Sequence, residues 1–192
     1  MNFLPIKARC GLGSIYVVLF IVFFPTTMSA SAKFHEEASD ICPGSPSSAH
    51  AKCKLEVLFP NNSCQQVKDE VVSRLQGKNG WHDPHNNGTY VLEDASPSSD
   101  GNFLAFSRIT ANQKYTDKIH MKFSPSSSSD DSGCILLACS ESQVTSILDF
   151  STNYCNIRNL YCNQNDDHCP IIDQELTYVE SCLLYTSPSP RD

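Results

Sequence analysis

The chain has 192 residues, 40% hydrophobic and 18% charged, with 10 cysteines and a formal net charge of −7. These proportions exclude collagen-like, coiled-coil and multi-domain chains and leave room for one modest domain. An acidic balance without any lysine- and arginine-rich cluster argues against nucleic acids and anionic membranes as partners.

A short basic start (Lys7, Arg9) precedes an apolar run from Ile15 to Phe24 and a small-residue stretch ending Ala30-Ser31-Ala32. These are the parts of a secretory signal peptide, so residues 1–32 are expected to be removed. The apolar run falls short of the roughly 20 residues that span a bilayer, so no membrane span is expected after cleavage. The mature chain is then extracellular or in the lumen of the secretory pathway. Residues 33–54 are polar, with Gly, Pro and Ser and no periodicity, and read as an arm tethered through Cys42 and Cys53. A single disulfide-stabilised domain is expected over residues 55–181.

Ser63 and Gln66 are spaced as a capping box, and Cys64, Val67, Val71 and Leu75 recur at helical spacing behind it. One amphipathic helix from Cys64 to Gln76 follows, with Gly77 as its stop and Glu70/Arg74 as an i,i+4 pair. Lys68, Asp69 and Arg74 read as its solvated face. Alternating patterns then predict strands at Tyr90–Leu92, Phe103–Ile109, Lys118–Phe123 and Cys134–Cys139. Serine- and proline-rich segments at residues 96–101 and 124–133 read as exposed hairpin loops. From Ser140 the signal is mixed, and Tyr154–Cys162 reads as a short helix. The expected fold is α+β: one helix, then a four-stranded antiparallel meander, then a cysteine-pinned, partly helical C-terminal segment.

Setting aside Cys10 in the signal and Cys182 near the end, eight cysteines remain: Cys42, Cys53, Cys64, Cys134, Cys139, Cys155, Cys162 and Cys169. An even count behind a signal peptide reads as a disulfide framework, and the spacings lack the close pairs of a thiolate zinc site. Cys134 and Cys139 differ by an odd number along a strand and so face opposite sides of it, which forbids a mutual bridge. Cys155 and Cys162 are two turns apart on a helix, so each is expected to bridge to a distant partner. Sequons at Asn61 and Asn87 lie in turn-rich stretches and are expected to be glycosylated.

The densest chemistry lies between Gly80 and Tyr90, where Trp81, His82, Asp83, His85 and Tyr90 are the candidate binding residues. As a metal site, His82 and His85 are the ligands with Asp83 beside them, although Pro84 breaks the helical presentation of such pairs. A third ligand would come from His120, Asp117 or His168. As plain structure, Asp83-Pro84 opens a turn, Asn87-Gly88 closes it and Trp81 fills the core. Ser140 lacks a nucleophile elbow and reads as a helix cap over Gln143. Arg108 with Lys114–Lys118 reads as a solvated patch, and Asn163–His168 as a solvated turn without calcium-site spacing.

Helix followed by meander resembles the cystatin-like plan in element order alone; Gln143-Val144-Thr145-Ser146-Ile147 lacks the Q-x-V-x-G inhibitory hairpin. The segments SCQQVKDEVVSRL, WHDPHNNGTY, KYTDKIHMKF and CSESQ…DFSTNYCNIRNLYC, spanning about residues 64–169, resemble a group of small, uncharacterised, secreted cysteine-rich eukaryotic proteins. The resemblance implies secretion and a cysteine framework and carries no activity. Residues 182–192, CLLYTSPSPRD, resemble the mismatch-free translation of a transposase-type sequencing adapter and are set aside as an artefact.

The resulting expectation is a secreted, disulfide-stabilised, non-catalytic binding module without a cofactor, its partner an extracellular protein or small ligand. The alternative is a secreted hydrolase using one divalent metal at His82, Asp83 and His85.

Overall fold

The computed structural model describes residues 41–93, 101–126, 133–146, 149, 151–166 and 169–186. The expected signal peptide, the arm before Ile41, His168 and the chain beyond Thr186 lie outside the described residues. The fold is α+β and disulfide-rich, with one six-stranded antiparallel sheet. In chain order the elements are β1 (Lys52–Phe59), α1 (Cys64–Leu75), β2 (Thr89–Leu92), β3 (Phe103–Ile109), β4 (Thr116–Pro125), β5 (Cys134–Ser142), α2 (Thr152–Arg158) and β6 (Val179–Thr186). A short 3-10 turn at Lys78–Gly80 follows α1.

The expected meander is present as β2-β3-β4-β5, but β1 and β6 extend the sheet to the order β2-β3-β4-β5-β1-β6. β1 starts inside the segment expected to be an arm. Its alternation of Cys53, Leu55, Val57 and Phe59, all fully buried, is that of a strand with one face on the core. From β1 the chain crosses through α1 to the far edge at β2, and the meander returns β5 to pair with β1. The strand ahead of the helix thus lies against the last strand of the meander.

Helix α1 starts as its sequence predicts. The Ser63 hydroxyl accepts from the Gln66 amide at 3.3 Å, and the Gln66 side chain accepts from the Ser63 amide at 2.9 Å. Val67 and Val71 face the sheet fully buried, against a core that includes Leu55, Phe106, Ile119, Met121, Phe123 and Leu136. Each such side chain contributes about 1.5–3 kcal/mol through burial. At its far end, Gly77 takes φ +64°, the left-handed conformation that suits glycine.

The charged face of α1 departs from expectation. Arg74 and Glu70 are both fully buried and paired at 2.7 Å. Arg74 also donates to the carbonyls of Asn159 (2.9 Å) and Cys162 (3.0 Å). Glu70 accepts from the amides of Ile172, Asp173 and Gln174 at 2.7–3.0 Å. Burial opposes the Glu70 charge, but these backbone donors and the Arg74 guanidinium outweigh it and hold the carboxyl below its ordinary range. Arg74 is therefore not on a solvated face; the return of the C-terminal segment over α1 encloses the pair.

Three disulfides join described residues: Cys42–Cys139, Cys64–Cys134 and Cys162–Cys169. Cys134 and Cys139 do face opposite ways. The first ties β5 to α1 on the core face; the second ties it to the segment before β1 on the other face, beside Ile41 and Leu137. That segment is also held by Glu141, which accepts from the Gly44 amide (2.7 Å) and pairs with His50 (2.6 Å). It is more firmly docked than a cysteine-tethered arm. Cys162 bridges locally to Cys169 and not to a distant partner, because the turn after α2 brings the chain back within reach. Cys155, buried in α2, is also disulfide-bonded. Cys53, expected in the framework, is instead a buried thiol against Cys182, and that contact together with burial pushes it up.

Helix α2 overlaps the expected Tyr154–Cys162 but is shifted towards the N-terminus, starting at Thr152 and ending at Arg158. Beyond it Tyr161 packs edge-on against Phe59 (centroids 5.7 Å apart) and Tyr178 (5.0 Å), closing the core. Strand β6 pairs with the other edge of β1 and runs into the adapter-like stretch, with a register shift between Lys54, opposite Leu184, and Leu55, opposite Cys182. Val179, Tyr185 and Thr186 are of the strand-forming β-branched and aromatic types, and β1 offers them an open edge.

Candidate functional site

Along three adjacent strands the core-facing row changes from apolar to polar. On β4 the inward series runs Phe123, Met121, Ile119, Asp117; on β5 it runs Leu136, Ala138, Ser140, Ser142; on β3, Phe106 gives way to Arg108. The antiparallel register sets Arg108 opposite Asp117 and Asp117 opposite Ser142, so the polar ends gather at one end of the sheet. All of these polar side chains are buried.

Helix α2 covers that row with an asparagine stripe at i, i+3 spacing. Asn153 donates to Ser142 Oγ (3.0 Å) and Asp149 (2.7 Å) and accepts from Ser140 Oγ (2.6 Å). Asn156 donates to Asp117 (2.8 Å) and Ser140 Oγ (3.0 Å). Asn159, in the turn that ends α2, donates to Asp83 (2.8 Å). Ser142 Oγ donates to Asp117 at 2.7 Å, linking the two carboxylates Asp117 and Asp149 through Ser142 and Asn153.

Above this floor lies a cavity of about 420 Å³ lined by residues from the loop before β2, the β3–β4 turn, β4, β5, the segment between β5 and α2, and α2. Buried Asp117, Ser142 and Asp149 form its base. Half-buried His85, Thr110, Ser146 and Thr152 form its walls, and Asn86, Ala111, Asn112 and Tyr115 stand exposed at its mouth. A volume of this order lies within the about 300–1000 Å³ of small-molecule sites. Burial and then the Asp117 charge raise the Asp149 carboxyl above its ordinary range, against the opposing hydrogen bonds from Asn153 and Tyr185. Burial, with nearby Arg108, lowers His85, so its ring is neutral at pH 7.

The loop singled out in the sequence is divided by the fold. Asp83 is fully buried: it accepts from Arg108 Nε (2.8 Å) and Nη2 (2.5 Å), and from the amides of His85 (2.9 Å) and Gly88 (3.1 Å). It anchors a turn and neutralises a cation, leaving no free ligand. Arg108 correspondingly is buried, not solvated, and a side chain at Gly88 would collide with its guanidinium at 2.5 Å. Trp81 is in the core and donates to the Pro170 carbonyl at 3.1 Å. Tyr90 packs between Trp81 and Phe106, its hydroxyl donating to Asn156 O at 3.1 Å, and burial pushes it well up. His82 is exposed, near the Gly80 carbonyl, while His85 points to the Thr152 hydroxyl at 3.4 Å. The two histidines do not converge, because Asp83 curls the chain between them. Of the loop's candidates only His85 lines the cavity.

The other sequence candidates also find structural roles. Ser140 is within β5 and not a helix cap, with its hydroxyl spent on Asn153. His120 faces the opposite side of the sheet and bonds the Ile41 carbonyl at 3.0 Å. Asp166 closes the Asn163 turn while bonding Arg158 and Tyr178. Among the described residues, no group of three or more His, Cys, Asp or Glu side chains is placed to hold a metal ion. Among them, too, no helix is long and apolar enough to cross a membrane.

Sequence reasoning missed the convergence of Asp117, Ser142, Asp149 and Thr152, having weighed Asp117 as a third metal ligand and as part of a solvated patch. A signal was present: extending the β4 alternation back from Ile119 puts a carboxylate on the apolar face. No match to this chain is found among protein-family models, curated proteins or solved structures.

Proposed function

We propose that the protein is a secreted, disulfide-stabilised module that binds a small polar ligand in this cavity and does not catalyse its conversion. The single supporting observation is the cavity itself, with an exposed mouth and a floor of buried polar groups held in place by the asparagine stripe of α2. Such preorganisation lowers the ordering cost of binding. The long-range bridges at Cys42–Cys139 and Cys64–Cys134 suit an oxidising, extracellular setting. Glycosylation at Asn87 belongs to the same reading, since Asn87 is exposed beside Asn86 at the mouth.

The test is a thermal-shift screen of the secreted protein against a library of charged and neutral polar small molecules, repeated on Thr152→Trp, which fills the cavity from its wall. At least one compound should raise the wild-type Tm in a saturable way and fail to do so in the variant. Equal shifts in both proteins, or no shift with any compound, would remove the cavity as a binding site. Conversion of the bound compound to a new product would refute the non-catalytic half.

A further inference from the structure

We propose that the ligand of this cavity is a neutral saccharide, a pyranose held by its hydroxyls between Asp117 at the base and the amides of Asn86 and Asn112 at the mouth; this rests on the binding-module reading above. The lining sets the chemical class. Among the described residues, eleven line the cavity; Ala111 alone of them has an apolar side chain, and none is lysine or arginine. An apolar ligand would strand the polar groups around it, and an anion would meet no cation.

A cationic ligand is not called for at the base. Arg108, behind the lining, stands opposite Asp117 in the β3–β4 register and is stabilised by its charge. Burial keeps the His85 ring neutral at pH 7, so one of its nitrogens donates and the other accepts. What lines the cavity is therefore hydroxyl, amide, neutral imidazole and carboxylate. Such a set both donates and accepts, as the hydroxyls of a sugar do.

Donors and acceptors are already sorted by position. Asp117 accepts one bond on each oxygen, from Ser142 Oγ at 2.7 Å and from Asn156 at 2.8 Å, which leaves each oxygen a lone pair for a ligand hydroxyl. Two adjacent hydroxyls of a pyranose match those two oxygens. At the mouth the amide oxygens are the held ends. Asn112 Oδ1 accepts from the Thr110 hydroxyl (2.7 Å) and the Lys114 amide (3.1 Å), and Asn86 Oδ1 accepts from Arg108 Nη2 (2.6 Å). Each side chain is thereby left with its NH2 as the group to offer, a donor for the far hydroxyls of the ring. Between base and mouth, the Thr152 hydroxyl is 3.4 Å from His85 Nε2. The Tyr115 ring, 47% exposed beside Asn112, offers an aromatic face to the apolar C–H side of a pyranose and removes water from both.

Isothermal titration of the secreted protein at pH 7.5 with the methyl glycosides of glucose, galactose, mannose and N-acetylglucosamine, beside cyclohexanol, 2-phenylethylamine and glutarate, separates the possibilities. At least one glycoside should bind one to one, at least tenfold more tightly than the other three compounds, because a ligand without a ring of hydroxyls leaves the site's polar groups unpaired. Asp117→Asn, which keeps the shape and replaces an acceptor by a donor, should weaken that glycoside at least tenfold. Tyr115→Ala should weaken it about 3- to 10-fold without moving Tm, since the ring is half exposed. Cyclohexanol, the amine or glutarate binding as well as the best glycoside, or a glycoside indifferent to both substitutions, overturns the saccharide; loss of that binding in Thr152→Trp would leave the cavity reading intact. Glycoside binding that survives Thr152→Trp overturns both. Absence of glycoside binding also overturns the saccharide, and the polar library then decides the cavity reading separately, by a shift that Thr152→Trp abolishes or by none. Should Asp117→Asn fail to fold, because Asp117 is wired to Ser142 and Asn156, Tyr115→Ala with Thr152→Trp carries the same decision.

Discussion

Replacing Arg74 with alanine distinguishes the buried-pair architecture from the solvated helix face that the local sequence suggests. As an exposed i,i+4 partner of Glu70, Arg74 would contribute about 0.3–0.5 kcal/mol. In the structure neither side chain retains exposure, and the guanidinium bonds Glu70, Asn159 O and Cys162 O at 2.7–3.0 Å. Its removal leaves a buried carboxylate without its counter-charge, two carbonyls without that donor and a void between α1 and the C-terminal segment. Breaking one side of such a pair costs about 3–5 kcal/mol. For a chain of this size each kcal/mol shifts Tm by about 2–4 °C, so a loss of about 6–20 °C is expected. Urea unfolding with disulfides intact should show a lower midpoint at unchanged slope. Glu70→Ala combined with Arg74→Ala should give a coupling energy of about 1–3 kcal/mol. A cost below about 1 kcal/mol for Arg74→Ala would refute the buried arrangement and return the residue to solvent.

Acid should weaken the protein through the same pair: because the folded Glu70 carboxyl sits below its ordinary value of 4.5, the unfolded chain takes up the proton first, and stability present at neutral pH is lost as pH falls below that value. Glu70→Gln should therefore flatten the acid limb of a Tm-against-pH curve; an unchanged limb would assign acid loss to other groups. Around the sequence-selected loop, Asp83→Ala should cost several kcal/mol by stranding the fully buried Arg108, whereas His82→Ala should stay within about 0.5 kcal/mol. Paired substitution of the disulfides by alanine, followed by thermal melts, should rank them by separation: about 4–5 kcal/mol for Cys42–Cys139 and Cys64–Cys134 (97 and 70 residues), about 2 for Cys162–Cys169 (7 residues). Ending the chain at Ser181 should preserve the core bonds of Glu70 and Arg74, since those partners lie before it, and a cooperative melt of the shortened protein checks this.

Features governed by neighbours in the chain were legible in the sequence. The capping box of α1, the alternation of β2 to β5 and the opposite facing of Cys134 and Cys139 follow from local geometry with periods of 3.6 and 2. The turn around Asp83 was legible as one of two readings of the same residues, because Asp-Pro and Asn-Gly are turn formers wherever they occur. Strand β1 was readable in principle from Cys53, Leu55, Val57 and Phe59, but its polar neighbours and preceding serines masked the alternation.

What tertiary structure alone decided is which side chains lose water and which meet. Glu70 and Arg74 look solvated until the C-terminal segment returns over them. Cys162 finds Cys169 only through the turn after α2. Asp117, Ser142 and Asp149 become one floor because antiparallel pairing puts the start of β4 beside the end of β5, and α2 then closes over both. By itself the sequence determined the helix, the meander, the cysteine facing and the acidic balance, all set by short-range sterics and composition. The site arises from pairings across tens of residues, where burial and charge depend on segments that local patterns do not connect.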